Sequence, residues 1–385
     1  MGKLKSRLDY ILKHNKTAQY LYKKIFSCLL KSLGYFMRIR PKQILFNGHG
    51  QGYNDSPKAI FEYMRHHSDY KNYKFIWALD EPHEYKISGA EIVKMDTIKY
   101  FLTALTSEYW VSCVNIERGL NFKKKQTRYL NTWHGIPLKK VGNGVNGRRD
   151  FDFSSIDLFC YSGEYERDIY INDFLVNENN LLFVGMPRND DLFNLQEIKI
   201  KQTKRLLNLP ENKKVILYAP TWRDSTDGGK TYQFQPHINI DLWREKLGED
   251  YVVLFRTHAY TNETLGIEFD ETIRDYSDYS DINDLLIVSD LLISDYSATI
   301  FDFAILERPI LSFGYDYVHY KNKRGFYLDL TSALPNGIYE EEEELLKKIT
   351  TMDYNYECKK TAKFKKKFIE VKGNASKACV KKLIG

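Results

Sequence analysis

From residue 43 onward the chain alternates short apolar runs with longer stretches whose apolar positions recur at helical spacing. The runs at 43–47, 75–79, 91–94, 109–113, 128–132, 157–161 and 181–184 read as strands, with helical stretches between several of them. That alternation predicts a parallel sheet covered by helices on both faces. Gly185-Met-Pro-Arg-Asn-Asp190 breaks the pattern and reads as a hinge. A second series begins at 214–219 and continues through 251–255, an apolar run around 285–294, and 309–313. The chain beyond 340 is mostly charged and helical. The predicted fold is α/β, with two doubly wound Rossmann-type domains facing across a cleft. Their spans are 43–187 and 188–340, and helices follow over 341–385.

The first 42 residues differ. Leu4, Leu8, Ile11 and Leu12, then Leu21, Ile25, Phe26, Leu29, Leu30 and Leu33, recur at helical spacing among lysines and arginines. Eleven Lys or Arg against Asp9 give this segment +10; the whole chain carries +6, which leaves −4 for the remainder. A basic amphipathic helix ahead of a slightly acidic body predicts a membrane-surface element over 1–42. The competing pattern is a core-packed helix with a solvated lysine face. The same asymmetry argues against a nucleic-acid partner. No apolar run is long enough to span a bilayer, and neither a span nor a signal peptide is expected. The five cysteines are dispersed and odd in number, which fits free thiols better than a disulfide framework or a zinc site. A chain of 385 residues suffices for two domains with sizeable cores.

Candidate chemistry clusters at the ends of predicted strands, where ligands bind in open α/β sheets. His134 follows the run at 128–132 and is succeeded by Gly135, Pro137, Lys139 and Lys140. An imidazole takes and returns a proton at cellular pH, glycine lets backbone approach a ligand, and the lysines suit phosphate. Arg256-Thr257-His258 ends the run at 251–255 in the same way. The run ending near 294 leads into Ser294, Asp295, Ser297 and Thr299, residue types that cap a helix start and can offer it to phosphate. Arg223 closes the segment after the run at 214–219 and could add charge. The triplet Asp150-Phe-Asp152 is too common a pattern to indicate Mg²⁺, and no metal or cofactor is expected.

Taken in order, these motifs resemble one family. They are Thr-Trp-His-Gly-Ile-Pro-Leu-Lys at 132–139, Gly-Met-Pro-Arg-Asn-Asp at 185–190 and Tyr-Ala-Pro-Thr-Trp-Arg at 218–223. Arg-Thr-His at 256–258, Ser-Asp-Tyr-Ser-Ala-Thr-Ile-Phe-Asp-Phe at 294–303 and Glu-Arg-Pro-Ile at 307–310 complete the set. The set resembles the CDP-glycerol glycerophosphotransferases of teichoic acid synthesis, over roughly residues 45–380. The resemblance implies a GT-B-like fold and a peripheral enzyme at the cytoplasmic face of the cell membrane. It implies transfer of glycerol phosphate, or a related polyol phosphate such as ribitol phosphate, from a CDP-activated donor to a hydroxyl of a lipid-linked acceptor, a polyprenyl diphosphate saccharide or its polyol-phosphate extension. CMP would be released. By matching motif, His134 and His258 correspond to the family's essential histidines and 294–303 to its donor-phosphate site. Arg223 and Arg256 add positive charge, and Gly135, Lys139 and Lys140 fall on the acceptor side. Three positions depart from the common pattern: Ile136 for Thr, Ala259 for Pro and Ala298 for Ser, which leaves the donor's polyol open. The compact chain favours a primer-type or short-chain enzyme. The alternatives are a GT-B glycosyltransferase using a nucleotide sugar and a membrane-docked scaffold without activity.

Overall fold

The computed structural model describes residues 15–221, 223, 238–257 and 267–385. Two sheets organise them. The first contains β1 (Arg40–Asn47), β2 (Lys74–Leu79), β3 (Ala90–Lys94), β4 (Ser107–Ser112), β5 (Arg128–Asn131), β6 (Leu158–Tyr161) and β7 (Leu181–Phe183), in the order β3-β2-β1-β4-β5-β6-β7. The second contains β8 (Lys214–Tyr218), β9 (Tyr251–Phe255), β10 (Ile273–Asp275), β11 (Leu291–Ser294) and β12 (Ile310–Ser312), in the order β10-β9-β8-β11-β12. Every pairing within the two sheets is parallel. Each sheet winds outward in both directions from a central strand, so strand order reverses between β1 and β4 and between β8 and β11. Those switch points open crevices at the carboxyl ends of the strands. The arrangement is the pair of doubly wound α/β domains that the strand pattern predicts, and agrees with the GT-B-like fold that the family resemblance implies.

The apolar runs are continuous because both faces of each sheet are buried. In β1, Ile44 and Phe46 pack with Phe61, Trp77 and Val111, while Leu45 points into a separate cluster with Trp110 and Tyr129. In β8, Val215 and Leu217 join one cluster and Ile216 and Tyr218 the other.

Three features go beyond the sequence pattern. The run at 285–294 divides into a helix, Ile282–Val288, and β11. Asp281 caps that helix by accepting from the Asn283 N–H at 3.1 Å, and extended Ser289 ends it. Strand β10 lies at the sheet edge and two of its three residues are charged, which hid it from a search for apolar runs. The last helix, Ala375–Ile384, returns to the first sheet and sets Cys379, Val380 and Leu383 among its core residues.

The amphipathic helix spans Lys16–Phe36, and the side chain of its N-cap Asn15 accepts from the Ala18 N–H at 3.0 Å. Tyr22 and Leu30 pack against the first domain, and Gly34 lies so close to Leu105 that a Cβ there would sit 3.0 Å from it. Leu21, Ile25 and Leu29 point outward, 50%, 55% and 58% exposed. Residues four apart share a helix face, so these three form an unpaired apolar stripe. Among the described residues no helix is long and apolar enough to cross a membrane.

Candidate active site

The carboxyl ends of the two sheets face each other across a cleft of about 700 Å³. His49 follows β1, His134 follows β5, Arg256 follows β9, and Ser297 and Thr299 follow β11; all five line it.

His134 is held by a tight turn. Asn131, the last residue of β5, accepts from the Trp133 N–H at 2.8 Å, and Trp133 sits at φ 53° in the left-handed region. Such a conformation is costly for a bulky residue and persists only where packing enforces it. The Trp133 ring packs edge-on against Phe174 at 4.6 Å, with Phe151 and Phe153 close by, and lies 3.9 Å from the His134 ring. Imidazole Nδ1 is 2.8 Å from the Cys113 carbonyl oxygen. A carbonyl only accepts, so Nδ1 of the neutral ring carries the hydrogen and Nε2 keeps its lone pair. Burial, reinforced by the adjacent His49, lowers the His134 pKa to about 4. Near neutrality this side chain is an unprotonated base.

The opposite wall offers hydroxyls and positive charge. Ser297 Oγ donates to Thr299 Oγ1 at 2.9 Å and accepts from the Thr299 N–H at 3.2 Å. Arg256 donates to the Tyr279 carbonyl at 3.1 Å, while its buried Nε has no partner among the described residues. Burial lowers its pKa. The walls also approach through backbone: at Gly135 (φ 141°) a Cβ would lie only 2.6 Å from that of Ala298.

The other predicted residues lie elsewhere. Ser294 is buried and donates to the Ala219 carbonyl at 2.7 Å. Asp295, also buried, accepts from the Thr221 N–H and from Arg223, both at 2.7 Å. Arg223 also grips both oxygens of Asp316 at 2.8 Å and lies over the Tyr296 and Tyr320 rings at 4.9 Å. None of the three lines the cleft. They brace the loops that carry Thr221 and Ser297, where a direct hold on phosphate was expected. Lys139 and Lys140 lie on a seam between the domains: Lys139 forms an antiparallel bridge with Phe326, and the Lys140 N–H donates to the Gly325 carbonyl at 3.1 Å. Neither is among the cleft-lining residues. His258 falls outside the described residues. Asp150 is paired with Lys23 at 3.4 Å and Arg148 at 3.3 Å.

Four cleft residues escaped the sequence reading. The His49 and His134 ring centroids are 4.7 Å apart. Arg188 bonds Asp55 of the first domain and Asp302 of the second, each at 2.7 Å, and Asn189 adds a bond to Asp302 at 2.7 Å. Burial opposes ionisation of both carboxyls; Arg188 overcomes it at Asp55, whose pKa is lowered, but not at Asp302, whose pKa is raised. The available signals were Gly48-His49-Gly50 after β1, which parallels His134-Gly135 after β5, and an arginine inside the hinge motif.

Comparison with known proteins places this geometry. The family model described as CDP-Glycerol:Poly(glycerophosphate) glycerophosphotransferase matches residues 29–385. A Staphylococcus epidermidis teichoic acid poly(glycerol phosphate) polymerase is 37% identical over 335 residues, which cover 82% of this chain and 46% of that protein. A Staphylococcus aureus teichoic acid glycerol-phosphate transferase is 36% identical over 326 residues, covering 79% of this chain and 82% of that protein. The chain thus matches less than half the length of the first relative and most of the second. A solved structure of a variant of the wall teichoic acid polymerase TagF soaked with CDPG superposes with a TM-score of 0.81 at 32% identity, covering 96% of this chain and 97% of that one.

Proposed function

The chain belongs to the CDP-glycerol:poly(glycerophosphate) glycerophosphotransferase family, and from that premise we propose that it transfers glycerol phosphate from CDP-glycerol to a hydroxyl of a lipid-linked acceptor in teichoic acid synthesis. The observation that carries this reading is His134: an imidazole with its Nε2 lone pair free, held across one cleft from Ser297, Thr299 and Arg256. The acceptor oxygen attacks the phosphorus that bears glycerol, forming a new O–P bond as the phosphoanhydride bond breaks and CMP departs. The acceptor proton passes to His134 Nε2. General-base help of this kind contributes about 10²–10⁴-fold. Arg256 and the hydroxyls of Ser297 and Thr299 hold the donor's phosphates and meet the developing charge, which counts for more in a partly buried cleft than in water. His258, two residues beyond Arg256 in the chain, is assigned to the donor's diphosphate by its motif alone.

The acceptor's lipid enters this reading through the amphipathic helix. Its outward stripe of Leu21, Ile25 and Leu29 would sit in the headgroup boundary of the inner leaflet, with Lys24 and Lys31 near anionic lipid. This makes the protein peripheral, bound at the cytoplasmic face.

Incubation of the full chain with a short lipid-linked acceptor and CDP-glycerol, CDP-ribitol or UDP-sugars tests the reading by product mass and released nucleotide. CMP together with a product heavier by one or more glycerol phosphates is expected. Release of UDP with sugar transfer would instead establish a nucleotide-sugar enzyme, and no turnover of any donor would leave a scaffold.

A further inference from the structure

The rings of His49 and His134 lie 4.7 Å apart at the carboxyl ends of two strands of one sheet, and both line the cleft. We propose that His49 is a positioning residue that keeps His134 unprotonated, the two rings acting as a pair that holds one proton readily and a second only with difficulty. The inference rests on the transferase reading and concerns how its base is kept ready.

Two unit charges under 5 Å apart repel strongly in a partly desolvated site, and groups coupled in this way titrate as a pair. His134 is half-buried and tied through Nδ1 to the Cys113 carbonyl at 2.8 Å, so it cannot swing away from its neighbour. His49 lies on a 3-10 turn between two glycines and is the more exposed of the two rings, although its partial burial in the cleft, with Arg188 near, lowers its own pKa as well. Of the pair, the more deeply held His134 is the harder to charge, so the first proton resides on His49. When the cleft acidifies, His49 takes the charge and His134 is spared. When His134 receives the acceptor's proton, a neutral His49 adds no repulsion.

The other charges around the rings do not substitute for this. Asp55 and Lys58 come from the helix Asp55–Arg65, Arg188 from the turn after β7, and Arg256 and Asp302 from the second domain. Asp55 and Asp302 are both bonded to Arg188 at 2.7 Å; Asp55 raises the His134 pKa and Arg188 lowers it, so the two act against each other, and neither exchanges its charge near neutrality. Lys58 is paired with Asp281 at 2.9 Å. Cys113 is buried and its thiol is pushed well above its ordinary pKa, so it stays neutral. Among the described residues, His49 is the group beside His134 that changes charge in the relevant pH range.

The test is an NMR titration of the full chain labelled at histidine, comparing wild type with His49→Asn and His49→Lys. In His49→Asn the His134 titration moves up by about one pH unit, a size that fits unit charges at this spacing. In His49→Lys, which keeps a cation, it stays low; a purely structural role would make lysine as disruptive as asparagine. The acid limb of kcat/KM for CMP release should move in the same way. An unchanged His134 titration in His49→Asn, or equal shifts in both variants, overturns the proposal. Absence of CMP release at any pH would count against the transferase reading alone, because the titration needs no substrate.

Discussion

Gly135 and Ala298, from opposite domains, meet at the cleft so closely that a Cβ on the glycine would lie 2.6 Å from the alanine Cβ. On the proposed mechanism this contact holds the base, His134, opposite the hydroxyls of Ser297 and Thr299. It also explains glycine at this position twice over, because φ there is 141°, which other residues rarely adopt.

Gly135→Ala should therefore both strain the turn and push the walls apart. Displacing reacting groups by about 1 Å can cost on the order of 10²-fold in rate, so kcat/KM should fall by about that much. Combining it with Ala298→Gly removes the collision but not the backbone strain, and should restore part of the activity. Steady-state kinetics on the single and double variants decide this. Equal activity in wild type and Gly135→Ala would show that the contact does not set the cleft.

His134→Asn removes the base while preserving much of the ring's volume. Turnover should drop by about 10²–10⁴-fold, with CDP-glycerol affinity nearly unchanged, because the imidazole addresses the acceptor. Calorimetric titration alongside CMP release separates the two effects. Loss of donor binding comparable to loss of turnover would move His134 to the donor side.

The same residue should leave a mark on stability. Its folded-state pKa of about 4 lies below its ordinary value of 6.5. As pH falls through that interval, the unfolded chain binds a proton at this site and the folded chain does not. Folding stability should then decline with a slope of up to about 1.4 kcal/mol per pH unit, a contribution fully present above pH 6.5 and lost towards pH 4. His134→Asn should flatten the urea-derived stability profile across that window. A wild-type slope retained unchanged in the variant would assign it to other groups.

Arg188 joins the domains through two buried ion pairs. Arg188→Met should leave Asp55 and Asp302 facing each other without their shared cation, and breaking a buried pair in this way costs about 3–5 kcal/mol. Thermal melting measures the loss. Adding Asp55→Asn and Asp302→Asn should recover much of it, since the stranded charges are then gone. Failure of the triple variant to recover would place the loss in packing.

Ile25→Glu and Leu29→Glu test the helix stripe. Both positions are more than half exposed, so melting temperature should hardly change. Binding to anionic vesicles should weaken, and activity on a lipid-linked acceptor should fall while that on a short soluble acceptor persists. Undiminished vesicle binding by the double variant would remove the stripe from the docking surface.

Strand positions, the double series of strands and the amphipathic N-terminal segment were legible because burial on both faces of a parallel sheet writes continuous apolar runs, and a helix surface writes a period of its own. The strand ends that carry His134 and Arg256 were legible for the same reason. Which residues meet across the cleft was decided only by the tertiary structure. Arg223 carries the charge of a phosphate site, yet its geometry joins it to Asp295 and Asp316, because opposite charges brought together in a dry interior must pair. His49 lies 85 residues before His134 and gave no periodic signal; parallel strands β1 and β5, separated in the sheet by β4, bring it alongside. Arg188 read as part of a hinge, and only the approach of two domains gave it a carboxylate from each. Local patterns encode burial, which is a property of single elements. Pairing of charges and rings depends on the superposition of loops from distant strands, which no window of sequence contains.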